Sequence, residues 1–187
     1  MSRELSIGTR TLALMQGDLT AVAADAIVNA ANESLSGGGG VDGAIHLTGG
    51  PVIMQDLERR YGKRRRCETG SAVVTIAGDL PAQWVIHAVG PRWRGGQFGE
   101  SDLLWSACRS SLHIADELGA RTVTFPAIST GIYGYPVEAA APVILEALAG
   151  GLKDAASVER ATVVLFSEAL LKQFEAGLDQ LNGSRPV

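Results

Sequence analysis

Short apolar runs rich in β-branched residues recur along the chain at Thr11–Met15, Ala26–Ala31, Ala72–Ala77, Trp84–Val89, Thr122–Ile128 and Thr162–Ser167. Their length and composition predict strands. Several are apolar at consecutive positions, the pattern of strands covered by helices on both faces. Between them the apolar spacing changes to three or four residues. One helix is predicted from Leu104 to Leu118, with Ala107, Cys108, Ser111, Leu112 and Ala115 inward, Ser101 as its cap and Gly119 at its end. A second follows Pro136, burying Val137, Ala140, Ala141, Ile144, Leu145 and Leu148 and stopped by Gly150 and Gly151. A third starts near Ser167 and uses Leu170, Leu171, Phe174, Leu178 and Leu181. The tail from about residue 182 is expected to be flexible. Strand–helix alternation throughout predicts one α/β domain over residues 1–187, a three-layer α/β/α sandwich.

In such folds ligands sit beyond the carboxyl ends of the strands, and two unusual loops fall there. One is Gly37–Gly40, between the strand ending at Ala31 and a helix predicted through Leu47. Glycines let backbone amides approach a ligand with no Cβ in the way, and a helix N-terminus favours phosphate. A flexible surface loop is the plain alternative. The other is "ISTGIYGYP", Ile128–Pro136, with the hydroxyls of Ser129 and Thr130 and two glycines. Successive amides in such a turn can form an anion-binding nest, although an ordinary strand-to-helix turn has the same composition. Two anion-suited loops on one sheet edge match a ligand carrying two phosphates.

Net charge narrows how such a ligand is held. It is −4, so the field of the whole molecule does not attract nucleic acid or an anionic membrane, and local amides must hold any anion. The basic cluster Arg59, Arg60, Lys63, Arg64, Arg65 and Arg66 reads as a solvated helix end, with contact to an anionic protein as the alternative. No apolar run nears the roughly 20 residues of a membrane span. The N-terminal "MSRELSIGTR" lacks a secretory pattern, and a cytoplasmic protein is expected. There Cys67 and Cys108 are expected as free thiols. The three histidines have no metal-ligand spacing with them, so neither metal nor cofactor is expected.

Single polar residues near the loops each carry two readings. Asp42, just past the glycines, is either a helix N-cap or a carboxylate that orients or deprotonates a water beside bound phosphates. His46, four residues on, either pairs with it along the helix or joins the chemistry. Asn29 and Asn32 are turn residues by default, and Asn32 is placed to reach a sugar hydroxyl. Asp18 is a turn or cap residue, or an acceptor for an adenine amino group. Tyr133 either stacks on a sugar or shields its turn. For Phe166, and for Trp84, Trp93 and Trp105, core packing suffices.

Taken together, "GDLT" (Gly17–Thr20), "NAAN" (Asn29–Asn32), "GGGGVDGAIH" (Gly37–His46), "CETG" (Cys67–Gly70), "IHAVGP" (Ile86–Pro91) and "PAISTGIYGYP" (Pro126–Pro136) resemble the macrodomain family, and its MacroD-type branch in particular. They occur in the family's order from about Leu12 to Phe166. The resemblance implies a mixed central sheet and a pocket for ADP-ribose. It puts Asp18 and Leu19 at the adenine, with Phe166 facing the same base. Asn32 falls at the distal ribose, and Gly40 and Val41 in the catalytic loop. Ser129, Thr130, Gly131, Ile132 and Tyr133 would lie around the diphosphate and distal ribose, and Asp42 aligns with the branch's catalytic aspartate. One departure is "LTGGP" (Leu47–Pro51), where the branch usually carries a basic and then small residues; it bears on continuity of the helix. The implied activity is hydrolysis of ADP-ribose esters, namely O-acetyl-ADP-ribose and proteins mono-ADP-ribosylated on Asp or Glu. A monomer is expected. A non-catalytic ADP-ribose reader and a hydrolase of ADP-ribosylated nucleic acid are the rivals, the latter disfavoured by charge.

Overall fold

The computed structural model describes residues 2–183. A seven-stranded mixed sheet runs through it in the order β1-β2-β7-β6-β3-β5-β4. The strands are β1 (Ser2–Ile7), β2 (Arg10–Gln16), β3 (Ala26–Ala30), β4 (Ala72–Ile76), β5 (Trp84–Ala88), β6 (Thr122–Phe125) and β7 (Arg160–Leu165). The inner five are parallel, while β1 and β4 pair antiparallel at the two edges. The carboxyl ends of β2, β7, β6, β3 and β5 therefore share one edge.

Helices cover both faces, which accounts for the consecutive apolar residues. On β3, Ala26 and Val28 face one core while Ile27 faces the other; Ile86 and Val85 divide β5 in the same way. The larger core lies under α3 (Glu100–Glu117), α4 (Val137–Asp154) and α5 (Glu168–Gly183). The smaller lies under α1 (Gly40–Gly49) and α2 (Val52–Tyr61), where Ile45 and Ile53 meet Ile27 and Val85. This is the expected three-layer sandwich. Among the described residues no helix is long and apolar enough to cross a membrane. Both cysteines are buried free thiols, and burial raises their pKa values to about 11 for Cys67 and about 12 for Cys108.

Several expectations need correction. The strand expected to reach Ile128 ends at Phe125, because Pro126 cannot donate to a ladder. The α3 N-cap is Gly99, not Ser101; the Glu100 carboxylate collects the amides of Arg94, Gly96 and Phe98 ahead of the helix. Gly150 and Gly151 do not stop α4, which continues to Asp154. A Cβ on Gly151 would lie 2.3 Å from Leu112 Cδ2, so this glycine lets α4 lie close on α3. At the far end, Asn182 and Gly183 belong to α5, and the rest of the expected tail lies outside the described residues. Strand β1 was not anticipated as an element, and of α2 only its basic end was.

The "LTGGP" departure becomes a corner. Helix α1 ends at Gly49, Gly50 turns at φ 81°, and α2 begins after Pro51. The last carbonyl of α1, on Gly49, accepts the Asp79 amide from the β4–β5 turn at 3.1 Å. Gly78 in that turn has φ +59°, and a Cβ there would lie 1.9 Å from Gly49 O. The close contact seats α1 against the sheet. Gly78→Ala combines an unfavourable left-handed residue with overpacking, together worth about 3 kcal/mol. In a thermal melt the expected Tm loss is roughly 6–12 °C; an unchanged Tm would mean that this corner is not rigid.

Candidate active site

Two turns close over the shared carboxyl edge. The first carries Gly37–Gly40 into α1, whose N-cap is Gly39 without any side-chain cap. Gly37 and Gly40 have φ +78° and +60°, and a Cβ on Gly38 would sit 3.3 Å from Asp42 Oδ2. The glycines are thus needed for backbone conformation and for room beside the carboxylate. As the first residues of the helix, Gly40 and Val41 leave their amides without intrahelical acceptors. The second turn, Ile128–Tyr135, is braced by Thr130 Oγ1 donating to Ala127 O at 2.8 Å and by the Tyr135 amide on Ser129 O at 3.0 Å. Ser129 is buried at φ +68°, a strained setting for a non-glycine residue, and its hydroxyl has no hydrogen-bond partner among the described residues. The amides of Gly131, Ile132 and Tyr133 meet no carbonyl among the described residues.

Between these turns lies a cavity of ≈ 320 Å³ bounded by Asn32, Gly38–Asp42 and Ile128, Ser129 and Gly131–Tyr133. The walls approach closely, since a Cβ on Gly39 would lie 3.4 Å from Ile132 Cδ1. A second cavity of ≈ 490 Å³ shares Gly40, Val41 and Gly131 with the first and continues past Asp18, Leu19, Thr130 and Phe166. The twelve residues that the resemblance places around the ligand therefore line one continuous cleft, whereas Asn29 and His46 lie behind it.

Asp42 is not the helix cap. It is the third residue of α1, with only 6% of its surface exposed, and its side chain turns inward. Oδ1 accepts the Asn29 amide at 2.7 Å and lies 3.4 Å from His46 Nε2, the helical pair four residues on. Burial pushes the Asp42 pKa up. The contact with the His46 imidazole and the hydrogen bond from Asn29 outweigh it, leaving the carboxyl below its ordinary value and ionised at neutral pH. Oδ1 is thus tethered inside the protein, and Oδ2 faces the glycine turn.

Behind Asp42 the polar contacts continue into the sheet. Asn29 Nδ2 lies 3.1 Å from His87 Nδ1, and His87 Nε2 lies 2.9 Å from Thr75 Oγ1, with all three residues buried. An amide nitrogen only donates, so His87 Nδ1 accepts and the Nε2 proton goes to Thr75. Burial, the largest influence, and neighbouring His46 drive the His87 pKa down to about 3, so its ring is neutral. Asn29, His87 and Thr75 were not expected as a row. Their signal was a polar residue at an inward position of three otherwise apolar strands.

The other residues are committed in part. Asn32 donates to Gly37 O at 2.9 Å and its oxygen accepts from Ser34 and Ser36, so it shapes the glycine turn while lining the cavity. Asp18 caps the 3₁₀ turn Leu19–Ala21 through Oδ1, which accepts from the Thr20 amide and hydroxyl. Phe166 is 84% exposed, so core packing does not describe it; it stands open at the cleft mouth. The Tyr133 ring lies under the Arg92 guanidinium, 4.3 Å from its centroid. Of the tryptophans, Trp93 packs on Tyr135, whereas Trp105 is 44% exposed beneath Arg109.

Most of the basic cluster is structural. Arg59 and Arg60 pair with the buried Asp56, Arg65 donates to Leu35 O at 3.3 Å, and Arg66 pairs with Glu33 at 3.0 Å.

This architecture defines a three-layer α/β protein with its cleft at a switch in strand order. The chain belongs to the Macro domain family, whose model matches residues 28–144. It is similar to O-acetyl-ADP-ribose deacetylase 1 of Pantoea vagans, 48% identical over 157 residues that cover 84% of this chain and 92% of the relative. Its structure is similar to that of the Oceanobacillus iheyensis macrodomain with ADP, at TM-score 0.92 and 35% identity, covering 99% of this chain and 98% of the other. It is also similar to the Trypanosoma brucei macrodomain in complex with ADP-ribose, at TM-score 0.80 and 36% identity, covering 89% of this chain and 68% of the other.

The neutral His87 carries a pH prediction. Its folded pKa lies below the ordinary 6.5, so the unfolded chain binds this proton first as pH falls. The stability it contributes is complete above pH 6.5 and is lost as pH drops toward 3. Between pH 7 and pH 5 the loss is about 2 kcal/mol. Denaturant titrations should record it, and His87→Gln should flatten the dependence; equal slopes in both proteins would show that the ring is already charged when folded.

Proposed function

We propose that this protein hydrolyses esters of ADP-ribose, deacetylating O-acetyl-ADP-ribose and releasing mono-ADP-ribose from acidic side chains of proteins. The observation that carries the reading is the Asp42 carboxylate, anchored through Oδ1 with Oδ2 facing the cavity between two amide-rich turns. Binding alone gives no reason for a buried, ionised carboxylate beside an anion site. The names of the relatives and the ligands of the similar macrodomains support the same substrate class.

In this reading the adenine occupies the end of the cleft beside Asp18, Leu19 and Phe166. The Asp18 oxygen not used for capping accepts from the amino group, and Phe166 covers the ring. The free amides of Gly40, Val41, Gly131, Ile132 and Tyr133 hold the diphosphate, with Ser129 and Thr130 shaping that turn. The distal ribose then falls beside Asn32, whose amide has a second hydrogen for a sugar hydroxyl. Asp42 orients and polarises a water toward the ester, and water adds across it to give free acid and ADP-ribose. Holding the reactants in place supplies a large part of the rate. A base works best with a pKa near the operating pH, and that of Asp42 lies well below it. Its contribution is therefore orientation and electrostatic polarisation more than full proton transfer.

Asp42→Ala is expected to slow acetate release from O-acetyl-ADP-ribose by about 10²–10⁴-fold, while calorimetric titration with ADP-ribose still shows binding. Absence of turnover in both proteins, with binding intact, would make the protein a reader. Failure of the unaltered protein to bind ADP-ribose at millimolar concentration would remove the reading altogether. A second measurement follows Asp42 itself. Activity needs the carboxylate and is lost as pH falls through its folded pKa, below 3.8. Asn29→Ala removes a bond to the charged form, so the acid limb of the kcat profile should move to higher pH; an unmoved limb would detach Asn29 from the carboxylate's chemistry.

A further inference from the structure

A third cavity, of ≈ 530 Å³, opens beyond the cleft on the side away from Asp18 and shares Asn32, Gly90, Arg92 and Tyr133 with the central one. The three chambers lie in a row along the sheet edge. With the adenine at one end and the distal ribose at Asn32, the acyl side of the ester points into this third chamber. Its volume far exceeds what the two carbons of an acetyl group need.

Its charges are unevenly satisfied. Glu100 is buried and occupied by the backbone amides of Arg94, Gly96 and Phe98. Glu33 is occupied by Arg66 and by the amide and hydroxyl of Thr69. Arg92 and Arg94 line the same chamber, are exposed, and have no carboxylate partner among the described residues. The Arg92 guanidinium is held over Tyr133 at the junction with the central cavity. Phe98, 66% exposed, adds an apolar surface to the wall. The wall thus offers two unpaired guanidiniums where the acyl carrier emerges.

We propose that this chamber is a subsite for the polypeptide flanking an ester-linked Asp or Glu, and that Arg92 and Arg94 select segments with further acidic residues beside the modified one. The inference rests on the reading of the central cavity given above. Arg94 lies outside the ADP-ribose cleft, so its charge acts on peptide esters and leaves the acetyl ester untouched.

The test compares kcat/KM of the unaltered protein and Arg94→Glu on three substrates at low salt. These are a peptide ADP-ribosylated on Glu with Asp and Glu neighbours, the same peptide with Lys neighbours, and O-acetyl-ADP-ribose. The unaltered protein should favour the acidic peptide by about fivefold, the scale of exposed ion pairs, with the preference shrinking as salt rises. Arg94→Glu should abolish or reverse the preference and leave the O-acetyl-ADP-ribose rate unchanged. Equal rates on both peptides, a preference that survives Arg94→Glu, or turnover of the acetyl ester without either peptide would each overturn the subsite. Loss of all three activities in the unaltered protein would instead overturn the reading of the central cavity, and the subsite with it.

Discussion

The hydrogen bond from Asn29 to Asp42 Oδ1 is the constraint on which the site depends. A buried carboxylate is costly unless hydrogen bonds compensate it. Here compensation comes from the sheet itself. Asn29 is on β3, directly paired in register with His87 on β5, and His87 reaches Thr75 on β4. Each member fixes the next: the neutral His87 ring must accept from Asn29, and that turns the Asn29 amide toward Asp42. Reversing the amide would set its oxygen against the carboxylate. The orientation of one oxygen in the cleft is thus decided three strands deep.

That row also explains why the glycine turn can be so bare. A helix N-terminus and a set of free amides favour an anion, so a carboxylate at the same place would be repelled by a bound diphosphate if it were free to move. Tethering Oδ1 within the core keeps the Asp42 charge at a fixed position. The backbone amides keep their role as donors, and a protein of net charge −4 needs no basic patch to present them. The arginines at the end of α2 and just beyond it fit the same picture. Most are spent on Asp56, Leu35 and Glu33, bracing α2 and the loop after it against β4 and the glycine turn.

The sandwich was legible because it rests on local patterns. Consecutive apolar residues such as Ile27 and Val28 could only mean a strand covered on both faces, and the spacing in α3 and α4 marked their buried sides. The cleft was legible through its glycines and turn residues, which betray backbone demands wherever they stand. Other features depend on contacts between distant segments. Gly150 and Gly151 look like a helix stop until Leu112 of α3 is seen against Gly151. Phe166 looks like a core residue until β7 is found to end at Leu165, leaving the ring beyond the edge of the sheet. Asn29 and His87 look like isolated polar residues because strand neighbours 58 positions apart in the chain cannot be read from periodicity. The edge strand β1 was hidden for a simpler reason: with Leu5 and Ile7 as its inward residues, its apolar content is too small to stand out.

The same reasoning bears on how far the carboxylate can go chemically. Lowering the pKa of an aspartate makes its charge permanent at neutral pH and weakens it as a proton acceptor. The Asn29 hydrogen bond and the His46 imidazole, both at Oδ1, reinforce that choice, because both favour the charged form. An enzyme relying on full proton abstraction would be served better by a carboxylate left in an apolar pocket, where burial raises its pKa. Asp42 has the burial without the rise, and Asn29 and His46 account for the difference. A site so built suits chemistry that needs a fixed negative charge more than chemistry that needs a strong proton acceptor. The chemistry of the substrate and the protonation state of one side chain are in this sense a single design constraint, set by where Asn29 falls on β3.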